Sequence, residues 1–138
     1  MESNRILVPV IGTAADEEAM KLACRLAKKG KSKIWSVYVI TIKRALPLDA
    51  KIETEIRKAE SVLDHIDEIA GEEGFEIETD VLQAREAGPA IIDEASGHEV
   101  NLILMGVEYK RRFGQFSLGN VVPYVLKNAP CPVLLFQK

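Results

Sequence analysis

Short apolar runs alternate along this chain with longer segments that are apolar on one face only. Four of the runs are rich in branched aliphatic residues, as expected of strands buried on both faces of a sheet. A fifth run, Phe75–Leu82, alternates apolar and polar residues, which predicts a half-exposed strand at a sheet edge. The four buried runs are Arg5–Val10, Lys33–Ile42, Val100–Met105 and Val133–Phe136.

Four segments between these runs carry helix signals. Thr13 and Asp16 have the spacing of a capping box, which predicts a helix that continues to a stop at Gly30. From Ile52 to Ala70 apolar residues recur at intervals of three and four, which is the clearest helical stripe in the chain. Gly88-Pro89 predicts the start of a third helix, and Asn120 is expected to cap a fourth.

Five strands that alternate with four helices predict an α/β fold with a parallel sheet between two helix layers. Because strands one and four are the most apolar, they are expected at the centre, in the order 3-2-1-4-5. The chain reverses its direction across such a sheet between strands one and four, and ligands bind at that crevice. The segments Val10–Thr13 and Gly106–Asn120 should line it, with Val39 at the end of strand two beside them.

Composition narrows the class of protein. The 138 residues suit one domain, 1–138, and the net charge of −3 argues against a nucleic-acid partner. The sequence has neither a membrane-spanning stretch nor a signal peptide, so a cytoplasmic protein with no membrane association is expected. Cys24 and Cys131 are far apart and lack zinc-site spacing, so we predict neither a metal site nor a disulfide.

The crevice segments suggest an anion site. Gly119 and Asn120 begin a helix, whose free N–H groups and dipole favour phosphate. The cations Lys110–Arg112 could add charge-assisted contacts or could simply form a solvated basic loop, and the sequence leaves both readings open. The glycine motifs of common NTPases and nicotinamide enzymes are missing.

Three segments together resemble the universal stress protein family. They are ILVPV near the start, the loop from Gly106 to Gly119, and the ending VLKNAPCPVLLF. The resemblance covers essentially the whole chain and implies a Rossmann-like fold of the adenine nucleotide alpha hydrolase type. It also implies a role in stress response. ATP-binding members carry G-x2-G-x9-G-[S/T], and here Gly106 matches the first glycine and Gly119 the last.

Three positions depart from the pattern of nucleotide-binding members. Tyr109 stands at the middle glycine, Asn120 replaces the final hydroxyl residue, and Ile11 occupies the place of an Asp that meets the sugar. An isoleucine cannot accept a hydrogen bond from a ribose hydroxyl, which costs on the order of 1–3 kcal/mol. We therefore predict weak or no ATP binding, so that no cofactor is expected. The alternative is that Mg·ATP binds through the Gly106–Asn120 loop.

The candidate site contains no nucleophile with a base in reach, so we expect a protein that is not an enzyme, with no catalytic residue. Both histidines, His65 and His98, are predicted to be surface imidazoles away from the crevice. The candidate ligand-binding residues are Pro9, Ile11, Gly12, Val39, Gly106, Tyr109, Gly119 and Asn120.

The last predicted strand, 133–136, consists of four apolar residues at a sheet border. An uncovered border strand invites pairing, so a two-fold homodimer through this strand is expected. The resemblance to the family implies the same assembly, because many of its members assemble through their last strand. We also expect a further protein partner downstream of the homodimer, whose identity the sequence does not reveal.

Overall fold

The structure is a computed structural model that describes residues 4–27, 31–108, 110–112, 115–117 and 120–137. Four helices and seven strands occur within these ranges. In chain order they are β1 Arg5–Pro9, α1 Ala14–Leu26, β2 Lys33–Thr41, α2 Glu53–Glu72, β3 Glu78–Ala84, α3 Ala87–Gly97, β4 Leu102–Val107, β5 Lys110–Arg112, β6 Gln115–Ser117, α4 Val121–Asn128 and β7 Val133–Gln137. The prediction that the first helix continues to Gly30 was wrong, because α1 ends at Leu26 and Ala27 is already extended, with φ −78° and ψ 152°. Gly30 itself lies outside the described residues.

Five of the strands form one sheet in the order β3-β2-β1-β4-β7, and every neighbouring pair is parallel. When the short strands β5 and β6 are left out of the numbering, this is the predicted order 3-2-1-4-5. The α/β architecture is therefore confirmed. Parallel neighbours require crossover connections, and a helix supplies each of them.

The core lies on both faces of the sheet because its central strands present apolar side chains alternately to each side. Ile6 and Val8 of β1 face one cluster, which α1 and α2 cover, whereas Leu7 faces a second cluster beneath α3 and α4. Ser36, which is buried inside β2, donates a hydrogen bond to the Val8 carbonyl at 2.9 Å, so its hydroxyl is satisfied.

Three further local expectations were wrong, one of them only in part. The edge strand β3 pairs with β2 over Glu78–Ala84, later than the alternating segment, because Phe75 and Ile77 pack against the core before the backbone pairing begins. Asn120 is the N-cap residue of α4, as expected, but its side chain makes no capping hydrogen bond. The segment expected to be a plain loop contains the antiparallel pair β5-β6.

Among the described residues, no helix is both long and apolar enough to cross a membrane.

Candidate functional site

A crevice opens at the carboxyl ends of β1 and β4, as the topology predicts. Its cavity volume is about 300 Å³, which is the lower end of the range for small-molecule sites. Most of its walls are aliphatic, and they come from β1, β2, β4 and the first turns of α3 and α4. The lining residues are Pro9, Val10, Ile11, Thr13, Asp16, Val37, Val39, Ala87, Ile91, Met105, Gly106, Val107, Glu108, Asn120, Val121 and Val122.

The fold brings most of the predicted site residues to this crevice. Pro9, Ile11, Val39, Gly106 and Asn120 all line it. Gly12 lies in the adjoining turn and instead lines a neighbouring cleft of about 310 Å³ between α1 and α2. The two remaining candidates, Tyr109 and Gly119, lie outside the described residues.

The floor of the crevice holds a carboxylate whose capping-box spacing predicted only a role in a helix cap. Asp16 is 2% exposed, and its Oδ2 accepts hydrogen bonds from three successive backbone N–H groups. These N–H groups belong to Ile11, Gly12 and Thr13, at 3.1, 2.6 and 3.0 Å. Converging backbone N–H groups are a typical anion site, and here the anion is the protein's own side chain.

The position of Asp16 has an electrostatic consequence. Burial raises the pKa of Asp16, and the carboxylate of Glu108 raises it slightly further, whereas the three backbone hydrogen bonds act in the opposite direction. Glu108 also lines the crevice. The carboxylates of Asp16 and Glu108 on the crevice wall disfavour a polyanionic ligand such as a nucleoside triphosphate.

Gly12 makes the turn that presents these N–H groups. Its φ of 95° belongs to the left-handed region that side chains avoid, and an added Cβ would lie 3.2 Å from a methyl group of Val62. The backbone therefore needs glycine here independently of any ligand.

Gly106 has a packing role at the crevice. An added Cβ would collide with the carbonyl oxygen of Ala15 and would lie 2.6 Å from its carbonyl carbon. Gly106 thus allows the first turn of α1 to approach β4 closely. The glycine that matched the family's phosphate pattern is required by helix packing.

The histidines do not share one environment. His65 is exposed and pairs with Glu17, whose carboxylate raises its pKa, in agreement with the prediction of a surface imidazole. His98 instead stacks on Trp35, with ring centroids 4.6 Å apart and planes at 16°, so the prediction was wrong for this residue. Stacking on a core indole withdraws much of the ring from water.

The cysteines offer no reactive group to the crevice. Cys24 and Cys131 are free thiols. Burial raises the pKa of Cys24 to about 11, and burial also raises the pKa of Cys131. Both therefore remain thiols at neutral pH, the less nucleophilic state.

The chain is similar to known proteins along nearly its whole length. The model of the universal stress protein family matches residues 2–137. A universal stress protein of Methanocaldococcus jannaschii is 29% identical over an alignment of 141 positions, which spans 98% of this chain and 82% of that protein. A solved universal stress protein of Archaeoglobus fulgidus is similar with a TM-score of 0.80 at 23% identity, covering 96% of this chain and 97% of that one. A universal stress protein from the same organism in complex with dAMP has a TM-score of 0.76 at 23% identity and covers 98% of both chains.

Proposed function

Because the chain belongs to the universal stress protein family, we propose that it is a non-catalytic cytoplasmic protein of stress response or signalling that binds ATP weakly or not at all. It acts as a homodimer and through a further protein partner. The observation that carries the proposal is the Asp16 carboxylate on the N–H groups of Ile11, Gly12 and Thr13.

These N–H groups already have an acceptor, so a phosphate or a ribose hydroxyl gains nothing from them without displacing Asp16. Ile11 lies at the same turn with 63% of its surface exposed at the crevice wall. Its side chain offers no acceptor to a sugar. The absent acceptor and the occupied N–H groups both weaken the binding of a nucleotide.

Calorimetric titration with Mg·ATP tests this part of the proposal. We expect a dissociation constant weaker than about 100 µM for the natural chain, and about tenfold tighter binding for Ile11→Asp, which supplies a sugar acceptor. Leu48→Asp is the matched control, because Leu48 is 48% exposed and does not line the crevice. A dissociation constant in the low micromolar range for the natural chain contradicts the proposal.

A second candidate function is favoured by a specific observation. A similar protein of Archaeoglobus fulgidus was solved in complex with dAMP, and this chain has a cavity at the carboxyl ends of β1 and β4. In this alternative the Gly106–Asn120 loop holds Mg·ATP, with Lys110–Arg112 on the phosphates. The same calorimetric titration distinguishes this alternative from the first proposal. Charge reversal in Lys110–Arg112 weakens ATP binding only if this loop contacts the phosphates.

The homodimer part rests on β7. This strand is hydrogen-bonded to β4 on one side, and among the described residues no strand pairs with its other side. Leu134 of this edge strand is 43% exposed, whereas Leu135 packs against the cluster beneath α3 and α4. Pairing with a second copy would cover both the backbone edge and Leu134.

Replacing Leu134 by glutamate tests the dimer. The natural chain is expected to sediment at micromolar concentration with about twice its 15.3 kDa mass. Leu134→Glu is expected to sediment as a folded monomer, because a charge at the interface must be desolvated. Leu48→Glu places the same charge on an exposed leucine away from β7 and should leave the mass unchanged. A natural chain that is monomeric under these conditions contradicts this part of the proposal.

A further inference from the structure

We propose that Asp80, Glu94 and His98 bind a divalent first-row transition metal ion, Zn²⁺ above all, between the edge strand β3 and helix α3. The site lies outside the crevice and is independent of the function proposed above. It ties an edge strand of the sheet to the helix that covers it.

Topology brings the three side chains together from separate segments. Asp80 is on β3, Glu94 is on α3, and His98 is the C-cap that follows the last residue of α3. Glu94 and His98 are four residues apart, so their side chains meet on one face at the end of the helix. One ligand atom from each of the three residues lies within 4.8 Å of the other two. Imidazole and carboxylate together suit zinc, whereas Mg²⁺ and Ca²⁺ prefer oxygen ligands alone.

Glu94 and His98 each contribute one buried atom to the cluster. Glu94 Oε2 and His98 Nε2 are both closed to solvent, and their contact with each other is an ion pair of 3.4 Å, longer than an ordinary charge-assisted hydrogen bond. Buried polar atoms held at such a distance are poorly satisfied, and a metal ion that both atoms coordinate would replace one long contact with two short bonds.

The separation of these atoms fits one edge of a zinc coordination shell. Tetrahedral Zn²⁺ with bonds of about 2.0–2.2 Å places neighbouring ligand atoms about 3.4 Å apart. Asp80 is exposed, so its carboxylate can move the remaining distance at little cost, and its side of the cluster gives an ion access from solvent. A water molecule would complete the shell.

The imidazole is held in place before any ion arrives. His98 stacks on Trp35, and its backbone carbonyl accepts a hydrogen bond of 2.8 Å from Arg5 Nε. Nearby, the ammonium of Lys33 is paired with Glu78 at 3.1 Å, which offsets its charge. Prior orientation of a ligand lowers the entropic cost of binding.

Trp35 is the only tryptophan and His65 the only other histidine, so the site has its own probe and its own control. Titration with Co²⁺ should quench Trp35 fluorescence, because a paramagnetic ion on His98 lies beside the stacked indole. Addition of Zn²⁺ should shift the imidazole ¹⁵N signals of His98 at one equivalent and leave those of His65 unchanged.

Variants complete the test. Competition with a chromogenic chelator should give a Zn²⁺ dissociation constant of about 10 µM or tighter for the natural chain. Glu94→Gln and His98→Phe, which keep the side-chain size and the stacked ring, should each weaken it at least tenfold, and His98→Phe should abolish quenching by Co²⁺. His65→Phe should change it less than twofold. Binding weaker than about 1 mM, or equal weakening by His65→Phe and His98→Phe, would overturn the proposal.

Discussion

Replacing Gly106 by alanine is expected to lower the free energy of unfolding by about 2–3 kcal/mol. The new methyl group would meet the carbonyl group of Ala15, which is backbone in the first turn of α1 and cannot rotate away. Helix α1 must then move off β4, and both elements contribute to the buried core. Urea denaturation of both proteins measures the difference.

Gly71→Ala is the matched control for this substitution. Gly71 is in the last turn of α2, and an added Cβ there would have nothing within 4 Å. Alanine is the better helix former, so this change should leave stability unchanged or raise it by about 0.5 kcal/mol. If Gly106→Ala proves as stable as the natural chain, the close approach of α1 to β4 is not the reason for this glycine.

Replacing Asp16 by alanine is expected to lower the free energy of unfolding by about 2–3 kcal/mol, because the turn after β1 loses the acceptor of three N–H groups. Asp16→Asn keeps an oxygen acceptor at this position and removes only the negative charge. All three bonds reach Oδ2, so one amide oxygen can take its place, and the loss should be about 1 kcal/mol or less. Equal losses for the two variants would contradict this account of the turn.

The pH dependence of stability gives a second measurement on the same carboxylate. Burial raises the pKa of Asp16 above 3.8, so the folded state holds this proton more tightly than the unfolded state. The stabilisation that the protonated Asp16 carboxyl contributes is complete below pH 3.8. It is lost as the pH rises through the raised pKa of the folded state. The natural chain should therefore lose stability relative to Asp16→Asn between acidic and neutral pH. A relative gain over that interval would mean that the three hydrogen bonds outweigh burial.

The two substitutions also bear on the interpretation of the crevice. Gly106 matches the family's nucleotide-binding pattern, and Ile11 departs from it. The structure adds that Gly106 is needed for packing and that the turn containing Ile11 is bonded to Asp16. Retention of a family glycine in this chain is therefore no argument for retention of the ligand.

Much of the fold could be predicted because its signals are local. The stripe from Ile52 to Ala70 marks α2 through a periodicity that depends on neighbouring residues alone. The start of β3 was misplaced because Phe75 and Ile77 have the alternation of a strand while packing ahead of it. The pair β5-β6 was missed because three-residue strands carry too little pattern.

The site was only partly predictable. Pro9 and Val39 were placed at the crevice by counting from strand ends, which parallel topology makes reliable. The bonds of Asp16 to Ile11 and Gly12 were missed, although its presence in a capping box after a glycine turn was the available signal. His98 was misjudged because helical position says nothing about which strand residue lies beneath it.

The order of the elements, the parallel sheet and the position of its crevice were determined by the sequence alone, because chain connectivity and short-range periodicity specify them. Tertiary structure alone decided which groups meet across that framework: Oδ2 of Asp16 with the turn after β1, Gly106 with Ala15, and Asp80 with Glu94 and His98. Such encounters depend on how far each helix lies from the sheet and how it is rotated. The packing of the whole core sets both quantities, and no single segment encodes them.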